Sequence, residues 1–223
     1  MQLSTRCSCL RTRIVLATLV VSVGGAYAQA PASNCAKSAL ASKTLVPDPG
    51  FVSNGVYRSP FFGISYKIPF GWVERTKQMQ EENDPAKGLV LLAAFARPPE
   101  ATGDTINSAV VIAAESVSSY PGLKTPADYF GPLTELTTAK GFKVVNEPYD
   151  FSRGTNQVIR GDFSKELGTL TMHQASLVVL KKGYVVSFTF IGGSDEEVQD
   201  LVEGLSFAAS PKAANPRSAP PKH

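Results

Sequence analysis

Histidine is nearly missing from this chain: His173 and His223 are the only two. Only His173 stands within a patterned segment, so a serine or cysteine nucleophile has a single candidate base, and no Gly-x-Ser-x-Gly elbow accompanies it. His173 alternates with Thr169 and Thr171, opposite Leu170 and Met172, which reads as a solvent-facing strand position. Cysteine is as scarce. Cys7 and Cys9 fall in the first segment of the chain and leave Cys35 alone in the remainder, which excludes an intramolecular disulfide there and any cysteine-based metal cluster. Cys35 is then either a free thiol or the partner of a cysteine in another chain. Also missing are a phosphate-cradling loop, a dinucleotide fingerprint and any interleaving of aromatic and basic residues suited to nucleic acid. No catalytic residue, metal ligand or cofactor site is assigned.

No apolar run reaches the ~20 residues that a membrane-crossing helix needs. The run that is present, Ile14 to Val23, follows Arg6, Arg11 and Arg13 and leads to Ala26-Tyr27-Ala28, the three parts of a secretory signal. Cleavage is expected between Ala28 and Gln29, giving a periplasmic or secreted product without a transmembrane helix. Thr12 separates Arg11 from Arg13, so the twin-arginine route is not indicated. Neither Cys7 nor Cys9 follows an apolar run as a lipid-accepting cysteine does. Loss of the three arginines lowers Lys+Arg from 22 to 19, equal to the 19 Asp+Glu. The mature protein is nominally neutral, and the basic pI of the precursor is no argument for nucleic acid or anionic membrane.

The expected domain organisation is a signal over 1–28, a disordered arm over 29–50, one α/β domain over 51–209, and a disordered tail rich in Pro, Ala and Lys over 210–223. Alternation predicts strands at Val56 to Arg58 and Ile64 to Ile68. Pro69 and Gly71 make the bend before Trp72-Val73. Leu89 to Phe95 is short and wholly apolar, as a strand covered on both faces is, and Ser108 to Glu115 is a further strand. Thr125, Pro126 and Asp128 start a helix whose apolar side is Phe130, Leu133, Leu136 and Thr137. Pro132 either kinks it or restarts it. Strands follow at Phe142 to Glu147, Gln157 to Ser164, Thr169 to Leu180 and Tyr184 to Ile191, the last two joined by the turn Lys181-Lys182-Gly183. Ser194 and Glu197 form a capping box for a final helix with Val198, Leu201, Val202 and Leu205 on one face.

Two stretches carry a family likeness: Phe62-Gly63-Ile64-Ser65-Tyr66-Lys67-Ile68-Pro69-Phe70-Gly71-Trp72, and Lys182-Gly183-Tyr184-Val185-Val186-Ser187-Phe188-Thr189 before the acidic-capped helix. Together they resemble the PsbP-like superfamily, which includes lumenal extrinsic proteins of photosystem II and DcrB-like bacterial envelope proteins. The resemblance implies an α+β fold, an α/β/α sandwich with a mostly antiparallel sheet flanked by helices. It also implies a non-enzymatic role outside the cytoplasm. The shared motifs are structural, and the metal sites of some plant members do not carry over to a chain with so few histidines.

Two functions from different classes follow. The first is an exported, non-enzymatic binding or accessory module of the cell envelope, whose partner is an envelope protein or a small ligand and not a nucleic acid. Its expected contact residues are Trp72, the only tryptophan, and Tyr66. The second is a carboxylate-dependent extracytoplasmic hydrolase, for which Glu115, Asp150 and Asp162 lie in or beside strands. The Gly192-Gly193-Ser194 segment offers N–H groups to an anion, but Asp195, Glu196 and Glu197 crowd the same helix end.

Overall fold

The computed structural model describes residues 47–82 and 88–208. The expected signal with its Ala28–Gln29 junction, Cys35 and the tail beyond 208 lie outside the described residues.

Seven strands make one wholly antiparallel sheet in the order β4-β5-β6-β10-β9-β8-β7. They are β4 (Val73–Glu74), β5 (Leu89–Phe95), β6 (Ala109–Ser116), β7 (Lys143–Asp150), β8 (Ile159–Leu167), β9 (Leu170–Lys181) and β10 (Tyr184–Gly192). Strands β7 to β10 run as a meander because each is joined to the next by a short loop. Lys182 and Gly183, both with positive φ, close the β9–β10 hairpin. A second antiparallel sheet has the order β1-β2-β3-β11, from β1 (Phe51–Ser53), β2 (Val56–Ser59), β3 (Ile64–Lys67) and β11 (Leu205–Phe207).

The two faces of the large sheet are covered differently. On one face lie the small sheet and helix α3 (Asp195–Glu203). Tyr57, Ile64 and Tyr66 from the small sheet and Val198, Leu201 and Val202 from α3 pack on Val186, Phe188 and Phe190 of β10. Trp72 packs against this same core, so Trp72, Phe188 and Leu201 share one interior. On the other face, a 3₁₀ turn (Pro126–Tyr129) runs into helix α2 (Phe130–Ala139), and Tyr129 and Phe130 pack on Ile159, Val178 and Val185. The period-two pattern of β10 therefore serves two cores, Val186 and Phe188 pointing to one and Val185 to the other. The result is an α+β sandwich, with helices on both faces of the antiparallel sheet.

Several boundaries differ from the sequence expectation. Leu205 is not the fourth apolar residue of the last helix. That helix stops at Glu203, Gly204 caps it, and Leu205 is buried in β11 instead. Leu136 is 64% exposed, not on the buried side of α2. At 100° per residue it lies well round the helix from Phe130 and Thr137, which are the positions facing the sheet. Pro132 restarts the helix: the 3₁₀ turn ends at Tyr129 and α2 carries Pro132 in its first turn, where no N–H is needed. The second sheet, β1 included, was not anticipated, and neither was helix α1 (Thr76–Glu82), which buries no side chain. It lies against β5 through hydrogen bonds: the Ala93 N–H donates to Thr76 Oγ1 at 3.1 Å, and Gln80 Nε2 donates to the Val90 carbonyl at 2.6 Å.

Candidate binding surface

The three acids weighed for hydrolysis do not converge. Register places Asp162 level with Ala175, Phe190 and Val110, whereas Glu115 lies further along β6 and three strands away, about 20 Å at ordinary strand spacings. Asp150 pairs with Ile159 and so faces the α2 side, opposite to Asp162. Each has other bonds. Glu115 Oε1 accepts from Tyr129 Oη at 2.7 Å and Oε2 from Tyr120 Oη. Burial first, and then these bonds to the carboxylate, raise both phenols above their ordinary range. Asp162 accepts from Arg160 Nε at 2.7 Å, from Asn146 Nδ2 at 3.0 Å and from Tyr149 at 3.2 Å, and Arg160 also donates to Gln199 of α3 at 2.8 Å. Asp150 accepts from Ser152. The bonds of Glu115 to the two tyrosines and of Asp162 to Asn146 and Tyr149 tie separate segments together, the bond of Asp150 is local, and the three carboxylates lie on different strands, apart from one another.

His173, expected to face solvent, is half-buried on β9, with Nδ1 2.7 Å from Asp195 Oδ1 in the first turn of α3. The N–H groups before α3 are answered by the chain itself. Gly193 N–H donates to Glu197 Oε2 at 2.8 Å, while Glu197 Oε1 accepts from Ser108 at 2.5 Å and its own N–H donates to Ser194 Oγ. The capping box thus reaches one residue further back than the N-cap and fills the place an anion would take. Among the described residues, no group of three or more His, Cys, Asp or Glu could hold a metal ion.

The two residues singled out for contact have different fates. Tyr66 is fully buried, its ring 5.9 Å from that of Phe190, and its hydroxyl is buried without a hydrogen-bond partner. It belongs to the core and presents no surface to a ligand. Burial alone holds its phenol well above the ordinary range. Trp72 is half-buried and lines a cleft of about 390 Å³ with Val52, Val56, Ile68 and Phe70. The turn that builds this cleft follows from local sequence. Trp72 N–H donates to the Pro69 carbonyl at 3.3 Å, and Gly71 takes the positive φ of +83° that the third position of a type II turn demands. Phe70, at the second position, is thereby held away from the body of the protein and is fully exposed. Phe51 and Val52 on β1 are 54% and 41% exposed, and they continue the apolar surface into an adjoining cleft of about 340 Å³ that reaches Tyr57 and Leu91.

The sequence pattern does not single out Phe70, Phe51 or Val52 as contact residues. A signal was available for Phe70: Pro-Phe-Gly is a turn sequence in which glycine supplies the positive φ, and the second residue of a turn that ends a strand projects toward solvent. Nothing local marked Phe51 and Val52, because their exposure depends on β1 being the outermost strand of a sheet that the sequence pattern did not reveal.

No family model matches the chain, and no curated protein matches it. Among solved structures, it is similar to the cyanobacterial PsbP of Synechocystis sp. PCC 6803, at 14% identity over 71% of this chain and 96% of that one, with a TM-score of 0.47. It is also similar to LpqN of Mycobacterium tuberculosis, described as involved in cell envelope biogenesis, at 16% identity over 70% of this chain and 80% of that one, with a TM-score of 0.38. A third is PA94 of Pseudomonas aeruginosa, a protein of unknown function described as a putative regulator, at 15% identity over 48% and 72%, with a TM-score of 0.35. The first of these bears the name of the superfamily that the sequence motifs resemble, and likeness at this level carries nothing about activity, ligand or partner.

Proposed function

We propose that the protein is an exported, non-enzymatic binding or accessory module of the cell envelope that meets a protein partner through the Phe70–Trp72 face. The observation that carries this reading is the full exposure of Phe70 on the hydrogen-bonded Pro69–Trp72 turn, continuous with Trp72, Val52 and Phe51. Exposed aromatic surface of this kind costs solubility unless something covers it, and aromatic anchors dominate the energetics of protein interfaces. Separation of the acids removes support from the hydrolase alternative. Export rests on the signal-like first 28 residues, and no helix among the described residues is long and apolar enough to cross a membrane.

Affinity capture from the envelope of the source cell, with the protein and its Phe70→Ala variant as baits, tests the proposal. Phe70 is fully exposed, so the variant keeps the thermal midpoint of the parent and loses the captured partner. Recovery of the same proteins by both baits overturns the proposal. So does saccharide turnover that vanishes when Glu115, Asp150 or Asp162 is replaced.

A further inference from the structure

The small sheet ends at β11, whose far side faces a groove instead of another strand among the described residues. Antiparallel pairing decides which backbone groups of β11 are free. Ala208 N–H donates to the Gly63 carbonyl and Lys67 N–H to the Gly204 carbonyl, with Ser206 level with Ser65 between them. Gly204, Ser206 and Ala208 therefore bond toward β3, and the N–H and C=O of Phe207 and the C=O of Leu205 point the other way. The second direction is already used once: Arg153 Nη1 donates to the Leu205 carbonyl at 3.2 Å.

That groove has a volume of about 430 Å³ and runs between β11 and the loop carrying Arg153, Thr155 and Asn156. It adjoins a second cleft of about 320 Å³ lined by Lys124 and Lys181. Among the described residues, three cations and no carboxylate line the two clefts. In a mature chain of balanced charge, this is a local excess. Lys181 Nζ donates to Asn156 Oδ1 and lies 5.4 Å from the Phe207 ring centre, with no acidic partner among the described residues. Burial draws its ammonium below its ordinary pKa.

We infer that β11 is a strand-addition site for an extended, acidic peptide segment of a partner protein, whose backbone pairs with Phe207 and whose carboxylates meet Lys181, Lys124 and Arg153. Main-chain pairing gives such a site its affinity, and the lysines and arginine select the sequence. A β-edge left open in this way is otherwise an aggregation hazard, and the surrounding positive charge also repels a second copy of the same edge. The site lies on different residues from the Phe70–Trp72 face and does not depend on it.

The test uses the purified protein and two blocked peptides, one alternating glutamate with valine and the other lysine with valine. Binding is read by fluorescence anisotropy and amide exchange by NMR. The glutamate peptide is expected to bind roughly tenfold tighter than the lysine peptide. It should slow exchange of the Phe207 amide while leaving the already paired Ser206 amide unchanged. Lys181→Gln should weaken the glutamate peptide several-fold, and Phe70→Ala should leave its binding unaltered. Equal affinity for both peptides, loss of binding on Phe70→Ala, or a Phe207 amide that is protected before any peptide is added overturns the inference.

Discussion

Tyrosine carries much of the structure at the scale of single residues. Tyr57 is buried, and its hydroxyl donates to the Pro49 carbonyl at 2.7 Å, tying the start of the described chain to β2. Burial pushes its pKa up to about 12, because a phenolate there would lose its hydration. The sign of the pH dependence follows. A folded pKa above the unfolded value of ~10 means that the contribution is fully present below that value and is lost as the pH rises through about 12. Unfolding midpoints in urea should hold steady to about pH 9 and then fall, and Tyr57→Phe should fall less steeply between pH 10 and 12. Identical slopes for the two proteins would remove Tyr57 from this account. The sequence marks such residues only as aromatics on an alternating strand. Whether a given tyrosine ends in a core, as Tyr66 does, or against a carboxylate, as Tyr120 and Tyr129 do, depends on what crosses over it.

Among the elements, the docking of α2 on the large sheet shows how one absent side chain sets a contact. Gly161 stands within β8 directly under Phe130, and a Cβ there would lie 2.8 Å from Phe130 Cε1 and 3.3 Å from Cδ1. The ring is 3% exposed and walled in by Ile159, Val178 and Leu133, so it has little room to retreat. Gly161→Ala should therefore destabilise the fold by about 1–3 kcal/mol through overpacking, read as a lower urea midpoint at unchanged slope. Gly131, in the first turn of α2, has no atom beyond its chain neighbours within 4 Å of where a Cβ would go, and the crowding of that Cβ by the ring of the following Pro132 offsets the helix propensity gained, so Gly131→Ala should stay within about 1 kcal/mol of the parent. Equal effects at the two glycines would show that the tight approach beneath Phe130 does not bear on stability. Strand β7 shows the opposite design. It is exposed along nearly its whole length, carries Pro148 and several charges, and pairs with β8 through two register irregularities, which together blunt it as a docking edge.

Protection in the whole molecule should follow depth in the sheet. Strand β10 is flanked by β6 and β9, and its Val186, Phe188 and Phe190 are completely buried, whereas β7 has one neighbour and an exposed face. Native-state amide exchange should find β10 opening only with global unfolding and β7 by local fraying. Equal protection of the two strands would contradict the layered core described above.

Elements with short-range causes are legible in the sequence alone. Strand β5 matches the apolar run Leu89–Phe95, the β9–β10 turn follows from Lys182 and Gly183, and the cap of α3 follows from Ser194 and Glu197, since each depends on neighbours a few residues away. Where those elements meet follows from packing between distant parts of the chain. Leu205 left the helix for β11 because Gly204 ended α3 and Tyr66 lay opposite on β3; the acids parted because register put them on different strands and faces; and Phe70 became a surface because its turn points outward. Both candidate surfaces consist of what is left uncovered once the layers have packed. Exposure of that kind is set by contacts between residues far apart in the chain, which a periodicity read over a few positions does not contain.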